Sequence, residues 1–214
     1  MSRAEPTGRL FVLEGLDGSG KSTQARRLVE RLEQLGRHVL HTREPGGTPL
    51  GERVREILLS RETGALTART EVFLYQAARA QLVAQVIKPA LSEGKVVVCE
   101  RWHYATFAYQ TAQAPGAASG APERMVRETS AWAVAGTEPD RALYLTLPPA
   151  QTETRLDREQ DRIESRGQAY RRDVDAAYRR RFAEEPERLR VVSAEGTVGE
   201  VAARVWGAVH DLLD

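Results

Sequence analysis

Gly15, Leu16, Asp17, Gly18, Ser19, Gly20, Lys21 and Ser22 form a complete G-x-x-x-x-G-K-[ST] run. In such a run the glycines let the backbone curl so that its N–H groups point inward at a polyphosphate, and the helix that follows adds the positive end of its dipole. Lys21 would reach the outer phosphates and the Ser22 hydroxyl would ligate Mg²⁺, with Thr23 extending the lining. Nucleoside triphosphate binding is the expected chemistry of this stretch.

What the triphosphate is used for must come from elsewhere. Arg43 opens the run Arg43-Glu44-Pro45-Gly46-Gly47-Thr48, Arg101 directly follows Glu100, and Arg79 lies in a long helical stretch. Tyr75 and Arg79 are four residues apart, hence on one helix face, where a ring can stack on a base and a guanidinium can hold that nucleotide's phosphate. That combination suits a nucleoside monophosphate as acceptor. A switch or a non-catalytic nucleotide-binding module would keep the cradle but have no use for such a pocket.

The elements that position these residues are read from periodicity. Strands are expected over 10–13, 38–41, 95–99, 142–147 and 189–192, and helices over 21–35, 67–91, 104–111, 122–134, 150–158, 168–183 and 198–213. In the long helix Leu74, Ala78, Leu82, Val86 and Ala90 recur every four residues, and Pro89 is expected to kink its last turn. Strands joined by helical crossovers imply a parallel sheet covered on both faces, with ligands beyond the carboxyl ends of the strands. The loops after Leu13, His41 and Cys99 fall there.

Length and composition bound the rest. The chain has 214 residues, 41% hydrophobic and 29% charged, which fits one globular domain. Its 31 Lys and Arg against 30 Asp and Glu give nothing global to attract a nucleic acid polymer or an anionic membrane, so a phosphate must be gripped locally. No apolar run is long enough to cross a bilayer, and residues 1–8 lack the apolar stretch of a signal peptide; a cytoplasmic protein is expected. The single cysteine, Cys99, ends an apolar run and reads as a buried structural thiol. Residues 111–121, rich in Ala, Pro and Gly, read as a loop, and residues 155–190 as a largely solvated helical surface dense in arginine and acid.

Taken together, these features resemble the thymidylate kinase family over nearly the whole chain. Besides the cradle, the resemblance rests on Arg43-Glu44-Pro45-Gly46-Gly47-Thr48, on Tyr75 to Gln81 as an aromatic-x-Ala-x-Arg pattern, and on Ala108-Tyr109-Gln110 beyond Arg101. Pro139-Asp140 before a strand and Asp161-Arg162-Ile163-Glu164 complete it. The resemblance implies a P-loop NTPase-type three-layer α/β/α fold with a central five-stranded parallel sheet. One nucleoside monophosphate kinase domain would span residues 1–214, with the P-loop at 15–22, a small mobile lid at about 155–166 and a flexible tail at 1–8. It implies transfer of the ATP γ-phosphoryl group to deoxythymidine monophosphate (dTMP) with Mg²⁺, by a homodimer. The apolar stripe of 67–91 is available either to the dimer interface or to the monomer's own core.

Residue by residue, the family implies that Asp17 meets the acceptor 3′-hydroxyl and that Arg43, Arg79 and Arg101 neutralise its phosphate. Tyr75 would stack on thymine where phenylalanine is usual, Thr106 and Gln110 would read the base edge, and Tyr109 would pack by the deoxyribose and exclude ribonucleotides. Lys21, Arg101 and Glu100 would act at the transferring group, with Glu100 beside Ser22 at the metal. Because Leu16, Asp17 and Ser19 leave the P-loop without an arginine, the lid must supply one; Arg155, Arg158 and Arg162 are candidates, and Arg158 and Arg162 are favoured. The chain departs from the family at Glu100, usually aspartate, at Trp102, usually tyrosine or histidine, at Ala105, commonly serine, and at Thr146, commonly aspartate. The rival reading is a deoxynucleoside kinase, whose hydroxyl acceptor would need Glu44 as base.

Overall fold

The computed structural model describes residues 8–112, 120–147 and 161–213. Five strands, β1 (Arg9–Gly15), β2 (Val39–Arg43), β3 (Val96–Glu100), β4 (Arg141–Thr146) and β5 (Leu189–Ser193), form one all-parallel sheet in the order β2-β3-β1-β4-β5. β1 is central and apolar on both faces, as a strand covered on both sides must be. Leu10 and Val12 point into one core with Val97, Cys99, Ala142 and Tyr144; Phe11 and Leu13 point into another with Val96, Val98, Leu143 and Leu145.

The helices are α1 (Lys21–Gln34), α2 (Pro49–Leu59), α3 (Ala68–Leu82), α4 (Lys88–Ser92), α5 (His103–Thr111), α6 (Glu123–Val134), α7 (Gly167–Ala183) and α8 (Val198–Gly207). α1 and α8 cover one face of the sheet, while α3, α5 and α7 cover the other, with α6 packed outside α3 and α5. The expected three-layer arrangement is thus present. The expected tail up to residue 7 and the lid up to residue 160, together with the helix expected over 150–158, lie outside the described residues.

Three expectations need correction. No helix is expected between the strand at 38–41 and the long helix from 67, yet α2 forms there. Thr48 caps the helix by accepting the Gly51 N–H at 2.9 Å, and Pro49 sits in the first turn, where its missing N–H costs nothing. The long helix is not continuous: Val83–Ile87 form a π turn between α3 and α4. Pro89 cannot donate to the carbonyl four residues back, and the wider turn ahead of it absorbs that break. The closing helix stops at Gly207 rather than Leu213, since Val209 and Leu213 turn back into the core.

The stripe of Leu74, Ala78, Leu82, Val86 and Ala90 is turned inward, fully buried at Ala78, Leu82 and Ala90. The face left outward on α3 carries Phe73, 56% exposed. Exposed Leu50 and Ile57 on the adjoining α2 and Trp132 on the adjoining α6, 87% exposed, accompany it.

Candidate active site

All the chemistry-bearing loops leave the carboxyl ends of β1, β2 and β3. After β1 the chain turns at Gly18 (φ +83°) and enters α1 through Gly20, whose φ of +89° a side chain would strain. Gly15 is needed for room, since a Cβ there would collide with Ser19 and with the Leu145 carbonyl. Lys21 donates to the carbonyls of Gly15 and Leu16 at 2.9 and 2.8 Å, which folds its ammonium over the cradle. Burial and the neighbouring Arg101 charge pull its pKa down to about 8. Gly18, Ser19, Gly20, Lys21, Ser22 and Thr23 line an open groove. Gly15 and Leu16 support it from behind.

The Ser22 hydroxyl donates to Glu100 Oε2 at 2.5 Å, and His41 Nε2 stands 3.0 Å from the other oxygen. Burial acts to raise the Glu100 pKa, but the bonds from His41 and Ser22 and the nearby Lys21 outweigh it and hold the group ionised. A hydroxyl and a carboxylate meeting at a phosphate cradle suit Mg²⁺, which takes few protein ligands and completes its shell with phosphate and water. Among the described residues no group of three His, Cys, Asp or Glu side chains is placed to hold a metal by itself.

A second cleft lies beside the groove, lined by Tyr75, Arg79, Trp102, Ala105, Thr106, Tyr109 and Gln110 among others. Arg79 is 2% exposed, and three partners fix its guanidinium. Nε donates to Glu44 Oε2 at 2.8 Å, one terminal nitrogen to Gln76 Oε1 at 2.5 Å and the other to Thr106 Oγ1 at 3.0 Å. Arg101 has φ +71°, rare for a residue with a side chain, and the turn aims its guanidinium at Asp17 Oδ1, 2.6 Å away. Burial acts against the Arg101 charge; Tyr109, Asp17, Tyr178 and Glu14 more than restore it. Tyr109 stands in the same group, its hydroxyl 3.4 Å from Asp17 and its ring 5.0 Å from the Arg101 guanidinium. Cys99 is buried with its pKa pushed up, as a structural thiol should be.

The two cavities meet at Asp17, Glu44, Arg55 and Arg101, which border both. Arg43 stands apart from Arg79 and Arg101: it is paired with Glu52 at 3.0 Å and borders the groove, not the second cleft. The position between the cavities is taken by Arg55, held through a bond to the Pro45 carbonyl at 3.2 Å. Burial and the charges of Arg43 and Arg101 lower the Arg55 pKa. Sequence reading missed Arg55 because it missed α2.

Arg162 also departs from expectation. It donates to Glu71 Oε1 at 2.7 Å and to the Leu58 carbonyl at 2.9 Å, and it borders neither cavity. Arg155 and Arg158 lie outside the described residues. Two buried acids were likewise missed. Glu14 breaks an apolar strand, which was a readable signal; Glu71 precedes Tyr75 and Arg79 at the same four-residue spacing.

The thymidylate kinase family model matches residues 13–205. The thymidylate kinase of Pelotomaculum thermopropionicum is 45% identical over 97% of this chain and 95% of its own length. That of Syntrophotalea carbinolica is 43% identical over 94% and 95%, and that of Pseudomonas syringae 42% over 97% and 98%. The thymidylate kinase structure of Candida albicans superposes with a TM-score of 0.77 at 24% identity, covering 96% of this chain and 92% of that one, a likeness of fold. With the cradle in place and similarity over nearly the full length, the chain belongs to the thymidylate kinase family.

Proposed function

We infer that the protein transfers the γ-phosphoryl group of ATP to dTMP, giving dTDP and ADP. The observation that carries this reading is the junction itself: a triphosphate cradle and a base-sized cleft share Asp17, Glu44, Arg55 and Arg101. A phosphate on a nucleotide in the cleft and the outer phosphate of ATP in the groove would meet among two guanidiniums and Lys21.

The acceptor phosphate has a second pKa near 6, so at neutral pH it is mostly a dianion and needs no base. The protein's work is then positioning and charge neutralisation. Arg55, Arg79 and Arg101 hold the acceptor phosphate, while Asp17, already paired with Arg101, takes the 3′-hydroxyl. Tyr75, Thr106 and Gln110 seat the base, and Tyr109 flanks the sugar. Lys21 and the P-loop amides hold the donor. Ser22 and Glu100 would hold Mg²⁺, which neutralises phosphate charge when bound. Arg158 is the lid arginine assigned to the transferring group. Glu44 is bonded to Arg79, which favours a structural role over that of the base a nucleoside kinase would require.

The exposed face of Phe73, Ile57, Leu50 and Trp132 across α2, α3 and α6 is the surface through which two copies would form a homodimer. No helix among the described residues is long and apolar enough to cross a membrane; a cytoplasmic location is proposed from the free nucleotides that are its substrates. ADP formation from Mg-ATP with dTMP, thymidine, deoxyuridine monophosphate (dUMP) and other monophosphates in parallel tests the assignment. Preference for dTMP is expected; turnover of thymidine with dTMP inert would overturn it.

A further inference from the structure

We propose that Glu71 sets the base specificity of the acceptor cleft by fixing which end of the Gln110 amide faces the base. This rests on the reading of that cleft as the dTMP site.

Glu71 is 1% exposed, on α3, one turn before Tyr75 and two before Arg79. Its two oxygens have divided duties. Oε1 accepts from Arg162, at 2.7 Å, and from Arg166, while Oε2 accepts from Gln110 Nε2 at 3.1 Å. A carboxylate held by two guanidiniums can only accept, so the amide end facing it must be the NH₂. The other end, Gln110 Oε1, is buried and has no partner, and Gln110 lines the cleft with Tyr75 and Thr106.

A buried carbonyl oxygen without a partner favours a ligand that brings a donor. Thymine and uracil carry N3–H on that edge. Cytosine in the same seat sets the N3 lone pair against Oε1, a repulsion that works as rejection. Were the amide reversed, its NH₂ would favour cytosine instead. Gln110 alone can adopt either orientation; Glu71 removes the choice. Arg162 and Arg166 in turn hold Glu71, which gives the residues at the described end of the lid segment a part in selecting the base.

The test is Glu71→Gln. Arg162 and Arg166 would keep the new amide oxygen on the Oε1 side, leaving its NH₂ toward Gln110, which must answer with its oxygen and turn its own NH₂ to the cleft. dUMP and dCMP differ only on the edge in question, so the ratio of their kcat/KM values is the readout. In the wild type a strong preference for dUMP is expected; in E71Q the ratio is expected to fall by about tenfold to a hundredfold, chiefly through KM. Glu71→Asp, still acceptor-only, is expected to retain the preference. A folded E71Q with an unchanged ratio overturns the proposal, and so does a wild type that does not discriminate. If E71Q does not fold, NMR of the wild type decides. A protected N3 imino proton on bound dUMP is expected, and exchange at the rate of free nucleotide counts against it. Failure of the underlying assignment looks different, because then the wild type turns over neither dTMP nor dUMP.

Discussion

The Glu14 carboxylate on β1 accepts the backbone N–H of Trp102 at 2.8 Å, so a side chain of the central strand caps the helix that presents Thr106, Tyr109 and Gln110. The same oxygen accepts from Ala105 N–H at 3.2 Å, and α5 has no side-chain cap of its own. The other oxygen accepts from the Tyr178 hydroxyl at 2.8 Å, and Tyr178 lies 3.4 Å from an Arg101 terminal nitrogen. Glu14 therefore braces the positive-φ turn at Arg101 from two sides.

Burial pushes the Glu14 pKa up to about 7, against the charge of Arg101 and the bonds from Tyr178 and Trp102. An acid whose folded pKa lies above its unfolded value binds more protons when folded, so it costs stability as pH rises from about 4.5 to 7 and levels off above. Glu14→Gln, which cannot ionise, is expected to gain stability relative to the wild type across that window by about 3 kcal/mol. Denaturant melts at pH 5 and 8 measure it; a parallel pH dependence in both proteins would show that Glu14 does not titrate there.

Lys21 is charged below its pKa of about 8, and a triphosphate favours that charged form. Mg-ATP affinity is expected to weaken as pH rises from 8 to 10 in the wild type and to stay flat in Lys21→Met. The same variant is expected to lose about 10²–10³-fold in kcat. Calorimetric titration across the pH range and steady-state rates check both.

Glu100 is the acidic partner of Ser22, and its removal should be felt as metal demand. Glu100→Ala is expected to raise the Mg²⁺ concentration for half-maximal rate by about tenfold, while Glu100→Asp, the residue common in the family, should restore much of it. A Mg²⁺ titration of the rate at fixed ATP is the measurement.

Arg55 borders both cavities and Arg43 only one, so the two should separate kinetically. Arg55→Ala is expected to raise KM for dTMP about tenfold or more by removing a charge-assisted bond to phosphate. Arg43→Ala should change it far less. Equal effects would return Arg43 to the acceptor site.

Phe73 on α3 and Trp132 on α6, a helix packed against α3, are large apolar side chains left in water. Phe73→Glu combined with Trp132→Glu is expected to halve the mass read by light scattering without lowering the melting temperature of the monomer.

The sheet, the cradle and the helical pairing of Tyr75 with Arg79 were legible in the chain order, because each is a local signal. The run from Gly15 to Ser22 needs its own glycines, the strands their own β-branched and apolar residues, and Tyr75 and Arg79 one helical period. The sequence could not place Arg55, because α2 starts on a proline and a glycine whose roles depend on the Thr48 cap. Nor could it decide which face of α3 meets the core, since apolar residues occur on both faces and only packing into the core beside α2, α5 and α6 chose between them. The partners of Arg162 and Arg43 were not legible for one reason: an arginine's reach exceeds the spacing between strand ends, so its partner is a matter of which carboxylate the fold brings near. Glu52 took Arg43, and Glu71 took Arg162. The tertiary structure alone brought Glu14 onto the Trp102 N–H and Glu71 behind Gln110, contacts between residues 88 and 39 positions apart. No periodicity records such contacts, because burial makes them and the chain order does not.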